Sequence, residues 1–129
     1  PETLPKQEII DGQLLYESEG IRVTCLGYYA DEYEPDVLHE GKILFLIENN
    51  TDHYLHVWSP VIRVNDQDTT LSLWNQLHPD TRAIGTMYLY GLEELELTSL
   101  DQLELTLEFA DRDDYNYSEQ SDMITVNLQ

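Results

Sequence analysis

Leu103-Glu104-Leu105-Thr106-Leu107-Glu108-Phe109 carries the clearest pattern in the chain. Every second residue is large and apolar, and the residues between are charged or hydroxylated. A strand alternates its side chains between two faces with a period of two, so this run predicts a half-buried antiparallel strand with one wet face. A helix would scatter the same leucines around its circumference.

Working outward, Ile21, Val23 and Cys25 alternate with Arg22, Thr24 and Leu26 in a second strand. Ile43-Leu44-Phe45-Leu46-Ile47, bounded by Gly41 and Asn49-Asn50, is a continuous apolar run of strand length. It reads as a central strand covered on both faces. Further strands are expected at Gln13 to Tyr16, Tyr54 to Val64, Thr69 to Trp74, Ile84 to Tyr90 and Met123 to Leu128. Pro60 lacks a backbone donor, so the second of these bends there or lies at an edge. Glu48-Asn49-Asn50-Thr51-Asp52 and Asn65-Asp66-Gln67-Asp68 have the composition of hairpin turns. Leu92 and Leu95, three apart within Gly91-Leu92-Glu93-Glu94-Leu95-Glu96, predict one short helical turn near 91–96 between two strands. The fold class expected is therefore all-β, an antiparallel β-sandwich of seven or eight strands over residues 12–129. Residues 1–11, with Pro1, Pro5 and mixed charges, read as a linker or N-terminal arm.

The chain has 129 residues, with 26 Asp and Glu against 6 Lys and Arg, for a formal net charge of -20. Such a chain is repelled by DNA, RNA and anionic membrane surfaces, so nucleic acid is not expected among its partners. The content of 41% hydrophobic residues still places it among proteins that fold. Cys25 is the only cysteine, which rules out an intramolecular disulfide and predicts a buried thiol. No apolar run reaches the roughly 18 residues of a membrane helix, so direct membrane insertion is not expected. The opening Pro1-Glu2-Thr3, without an initiator methionine, suggests a preceding segment, for which a signal peptide or lipid-anchor region is one candidate.

The order of segments resembles an immunoglobulin-like domain of uncharacterised secreted and lipid-anchored proteins of Gram-positive bacteria. The resemblance runs from about Leu14 to Leu128. It rests on Leu15-Tyr16-Glu17 and Gly20-Ile21-Arg22-Val23-Thr24, then Leu44-Phe45-Leu46-Ile47-Glu48-Asn49-Asn50 and Val61-Ile62-Arg63-Val64-Asn65. Leu92-Glu93-Glu94-Leu95, the alternating run from Leu103 and the closing Ile124-Thr125-Val126 complete it. It implies an exported sandwich, extracellular or anchored at the cell envelope, and brings no catalytic residue. The paired cysteines of antibody domains are missing, so nothing about immune recognition follows.

Charge and aromatics concentrate in two segments. Asp31, Glu32, Glu34 and Asp36 accompany Tyr28, Tyr29 and Tyr33; Asp111, Asp113, Asp114, Glu119 and Asp122 accompany Tyr115 and Tyr117. The second set is a candidate Ca²⁺ site, because Ca²⁺ takes roughly 6 to 8 oxygen ligands in loose geometry. Asp111, Asp113 and Asp122 fall at positions 1, 3 and 12 of an EF-hand-like count, but Tyr115 and Asn116 break it at positions 5 and 6. Tyr28, Tyr29, Asp31, Glu32, Tyr33, Glu34, Tyr115 and Tyr117 are candidate partner-binding residues, able to meet a basic protein patch or a glycan. With seven strands the two segments would share one pole of the sandwich; an extra strand would put them at opposite poles.

His39, His53, His56 and His78 show no zinc spacing. No nucleophile elbow, H-E-x-x-H or phosphate-binding glycine loop is present, so an enzyme is not expected. Trp58 and Trp74 read as core or edge packing, and the bacterial origin that the resemblance implies would make the sequons at Asn49 and Asn116 coincidence. The leading expectation is a noncatalytic binding or structural module at the cell envelope, needing no cofactor. The alternatives are a Ca²⁺-dependent adhesion or carbohydrate-binding domain and an acidic decoy of a basic partner.

Overall fold

A computed structural model describes residues 12–128; the expected N-terminal arm lies outside the described residues. The chain forms an all-β sandwich. One layer joins β1 (Gln13–Ser18), β2 (Ile21–Tyr29), β3 (Lys42–Asn49) and β8 (Thr81–Tyr88) in that order. The facing layer is built from β4 (Leu55–Trp58), β5 (Ile62–Val64), β6 (Gln67–Asp68), β7 (Trp74–Leu77), β9 (Gln102–Leu105), β10 (Glu108–Asp111), β11 (Asp114–Gln120) and β12 (Ile124–Asn127). Its hydrogen-bonded sets are β11-β10-β4-β7 and β12-β9-β5-β6. All pairings are antiparallel.

The run expected as one strand at 103–109 is two. It leaves one set at Leu105 and enters the other at Glu108. The partner ribbon bends alongside it at Ser59-Pro60-Val61, where the missing proline donor makes a break in the ladder cheap. Thr106 N–H donates to Val61 O at 3.2 Å and Leu107 N–H to Ser121 Oγ at 2.9 Å, which holds the bent region together. Leu103, Leu105, Leu107 and Phe109 nevertheless all stay fully buried. The facing layer is thus four bent ribbons, and twelve strand segments correspond to eight ribbons in two layers. With β1 set aside, the order reads A-B-E against G-F-C-C′, the Greek-key connectivity of immunoglobulin-like sandwiches.

Several boundaries differ from the sequence expectation. The strand expected at Thr69 to Trp74 starts only at Trp74 and continues to Leu77; residues 69–73 cross between β6 and β7, with Thr69 N–H bonded to Ile62 O. The polar stretch 48–52 is not a hairpin turn, because β3 and β4 lie in different layers and the chain crosses there. Asn65-Asp66 is a hairpin turn, with both residues left-handed at φ 48° and 65°. The helical turn is a 3₁₀ segment at Tyr90–Leu95, and a second one at Leu38–Glu40 had no sequence signal.

Ile21, Val23, Cys25, Ile43, Phe45, Ile47 and Met87 from one layer meet Leu55, Val57, Ile62, Val64 and the 103–109 apolar residues from the other in one core. On the opposite face of β3, Leu46 is also buried and Leu44 half-buried, as a central strand requires. Cys25 is buried, and burial pushes its thiol up from its ordinary value. Asn49 is the one buried polar side chain among the described residues. Its amide donates to the carbonyls of His53, Leu77 and His78 at 2.9 to 3.2 Å, and its oxygen accepts from Thr51 N and Oγ1. A side chain so enclosed cannot be a glycosylation acceptor.

Leu107→Ala, at the point where the ribbon changes partners, should cost about 3 kcal/mol in urea unfolding. Glu104→Ala, which loses an ion pair with Arg63 at 3.5 Å, should cost about 1 kcal/mol or less. Equal costs for the two would contradict this reading of the ribbon.

Candidate functional site

The two acidic segments lie at opposite poles. β2 runs from Ile21, paired with Asn49, to Tyr29, paired with Lys42. Asp31 follows Tyr29 at one end. Asp111 bonds to His53, four residues beyond Asn49, at the other. The eight residues of β3 separate the poles by about 25 Å. The segments are therefore not one site, as eight ribbons rather than seven require.

The candidate Ca²⁺ ligands do not converge either. Residues 111–122 are not an open loop: β11 occupies Asp114–Gln120 and extends about 20 Å, carrying Asp122 away from Asp111 and Asp113. Four of the five carboxylates are also engaged locally. Asp111 Oδ1 accepts Asp113 N–H at 2.7 Å, Asp114 Oδ1 accepts Asn116 N–H at 2.9 Å, Asp113 Oδ1 lies 3.4 Å from Arg112 Nε, and Glu119 accepts the Tyr16 hydroxyl. Among the described residues no group of three or more His, Cys, Asp or Glu could hold a metal ion.

This pole does contain a cleft of about 480 Å³ lined by Glu19, Asp52, His53, Tyr117 and Glu119 beside Gly20 and Thr51. Its polar groups mainly brace the fold. His53 Nδ1 lies 2.6 Å from Asp111 Oδ2, and the His53 ring stacks on Tyr117 with centroids 3.9 Å apart. Thr51 Oγ1 donates to Asn49 and accepts the His53 N–H, so its hydroxyl is not a free nucleophile. Tyr16 stacks on Phe109, and its phenol is pushed up to about 12 by burial and then by its bond to Glu119. Burial, followed by Glu119 and Asp111, also raises the Tyr117 phenol. The Asp113 backbone N–H, and after it His53, hold the Asp111 carboxyl below its ordinary value. Tyr115 at the hairpin is fully exposed, apart from this cleft.

The other pole is open. Antiparallel register places Tyr29, Lys42 and Tyr88 side by side across β2, β3 and β8. Directly opposed residues of this kind have Cβ atoms about 4.5–5.5 Å apart. With Asp31, Glu32, Tyr33, Glu40 and Tyr90 they line a recess of about 270 Å³. Tyr33, Tyr88 and Tyr90 are 86%, 56% and 59% exposed, and the Tyr88 and Tyr90 rings stack at 5.9 Å and 10°. Asp31 Oδ2 accepts the backbone N–H of Tyr33 at 3.0 Å and of Glu34 at 2.9 Å, so the loop holds Tyr33 in place by an Asx turn. Tyr28 is a packing residue instead. It lies against the core, and a Cβ on Gly41 would come within 2.5 Å of its ring, so only glycine admits it there. Burial, and then the charge of Asp31, raises its phenol.

Of the sequence candidates, this recess brings together Tyr29, Asp31, Glu32 and Tyr33, and leaves out Tyr28, Glu34, Tyr115 and Tyr117. It adds Glu40, Lys42, Tyr88 and Tyr90, which sequence reading missed. Their only signal is register: Lys42 and Tyr88 fall on the alternate positions of β3 and β8 that face away from the core. Comparisons with protein-family models, curated proteins and solved structures return no match to this chain. Trp74 lies exposed on the edge strand β7. Among the described residues no helix is long and apolar enough to cross a membrane.

Because the Asp111 carboxyl titrates lower in the folded chain than in the unfolded one, its stabilisation is complete above about pH 4 and is lost as pH falls through the folded value. Asp111→Asn should therefore lower the melting temperature at pH 7, by a deficit that shrinks below about pH 4. A deficit unchanged from pH 7 down to the acid unfolding limit would contradict the His53 and Asp113 bonds as its source.

Proposed function

We propose that this chain is a noncatalytic binding module, exported and displayed at the cell envelope, that engages its partner through the tyrosine-lined recess. The observation that carries the reading is the exposure of Tyr33, Tyr88 and Tyr90 around one recess while the neighbouring Met87, Leu89 and Leu92 are buried. Tyrosine offers rigid contact area with a polar tip at low entropic cost, which suits a recognition surface. These three rings lie largely outside the core, so packing does not account for their clustering.

Placement at the envelope is supported by the resemblance to immunoglobulin-like domains of secreted and lipid-anchored Gram-positive proteins. The dispersed carboxylates at the hairpin pole weigh against the Ca²⁺-dependent alternative. An acidic decoy needs one continuous phosphate-like stripe, and the division of the two acidic segments between opposite poles works against it.

Washed Gram-positive cell-wall fragments should retain the purified chain and release a Tyr33→Ser, Tyr88→Ser, Tyr90→Ser variant. That variant should melt within about 6 °C of the parent, because each exposed substitution changes stability by about 0.5 kcal/mol or less. No retention of the parent, or equal retention of both proteins, would refute the proposal. A large loss of stability would make the tyrosines packing residues.

A further inference from the structure

We infer that the ligand of the tyrosine-lined recess is an uncharged glycan chain, bound without calcium. The inference rests on the recess being the binding site and names what fills it.

The lining has three kinds of group. Tyr88 and Tyr90 present a pair of near-parallel rings and Tyr33 a third, mostly exposed one. Asp31, Glu32 and Glu40 supply carboxylate acceptors, and Lys42 supplies an ammonium donor in the floor between Tyr29 and Tyr88. An anionic ligand would meet three carboxylates on a chain of net charge -20. A cationic ligand would be drawn to the three carboxylates but would have to compete for them with the Lys42 ammonium already placed among them. A purely apolar ligand would desolvate all four charges without replacing their hydrogen bonds. A pyranose avoids each cost. Its C–H face covers an aromatic ring, its hydroxyls donate to carboxylates, and its oxygens accept from the ammonium.

Shape favours a chain over a free small molecule. At about 270 Å³ the recess is smaller than the roughly 300–1,000 Å³ that encloses most small ligands. It also opens at the side of the layer, since β8 is an edge strand and carries Tyr88, with Tyr90 just beyond its end. A polymer can seat one ring on the outer face of the Tyr88–Tyr90 pair and continue past the edge. Calcium is not required, because Lys42 provides the positive charge a bridging cation would otherwise supply.

The test is calorimetric titration of the full chain with cellohexaose, maltohexaose and the β1,4 hexamer of N-acetylglucosamine, each in calcium and in EDTA. At least one hexaose should bind equally in both buffers. Tyr88→Ala and Tyr90→Ala should each weaken it about tenfold, with unchanged melting temperatures. Lys42→Gln should also weaken it. Binding lost in EDTA would overturn the calcium-free glycan, as would failure of all three sugars. If Lys42→Gln strengthens retention on cell walls and polylysine competes, the ligand is a basic polymer and the inference fails. Wall retention that depends on the tyrosines, without any hexaose binding, would refute the glycan while leaving the recess as the binding site. Wall retention indifferent to the tyrosines would refute the site itself.

Discussion

The architecture depends on one ribbon keeping its apolar face inward while it changes hydrogen-bonding partners. Leu103 and Leu105 are buried in one set of strands and Phe109 in the next, with Leu107 buried at the break between them. An interruption there would cost unpaired backbone groups in a dry interior, at about 1–3 kcal/mol each. Val61 and Ser121 accept the two donors at the break, so the facing layer can bend without opening the core. The bend accompanies the change of partners in a layer of four ribbons that packs its apolar face on the β1-β2-β3-β8 layer.

Much of this was legible because burial and periodicity coincide. The apolar run at 43–47 is the central strand of its layer, and Pro60 marks a real bend. Legibility fails where backbone pairing, rather than burial, makes the strand. Asp114–Gln120 carries exposed or half-exposed side chains throughout and reads as a loop. It is held by β10, with Phe109 opposite Glu119 and Ala110 opposite Ser118. Once that segment is extended, its carboxylates are spread along it. The sequence-level Ca²⁺ candidate is therefore lost to the same feature that was missed. Tyr29, Asp31, Glu32 and Tyr33 were readable as one acidic, aromatic loop. Lys42 and Tyr88 were not, since cross-strand register is set by pairing of the whole layer.

The two poles differ in how their polar groups are used. At the hairpin pole, Asn49, Thr51, His53, Asp111, Tyr16 and Glu119 bond to one another or to nearby backbone and tie the layers together. At the other pole, Gly41 lets Tyr28 pack beneath the loop and Asp31 fixes the loop backbone, leaving Tyr33, Tyr88 and Tyr90 outside. The braced pole ties the layers together, and the open pole carries the surface proposed for recognition. The net charge of -20 acts as background to both, and the selectivity proposed for the recess rests on the placement of one lysine among tyrosines and carboxylates.

The most direct measurement is a ¹H–¹⁵N correlation spectrum of the full chain titrated with the hexaose that binds. The account predicts shifts confined to residues 29–33, 40–42 and 88–91, with the amides of residues 49–53 and 111–117 unmoved. Shifts centred on His53 and Tyr117, or none near Tyr88, would contradict it.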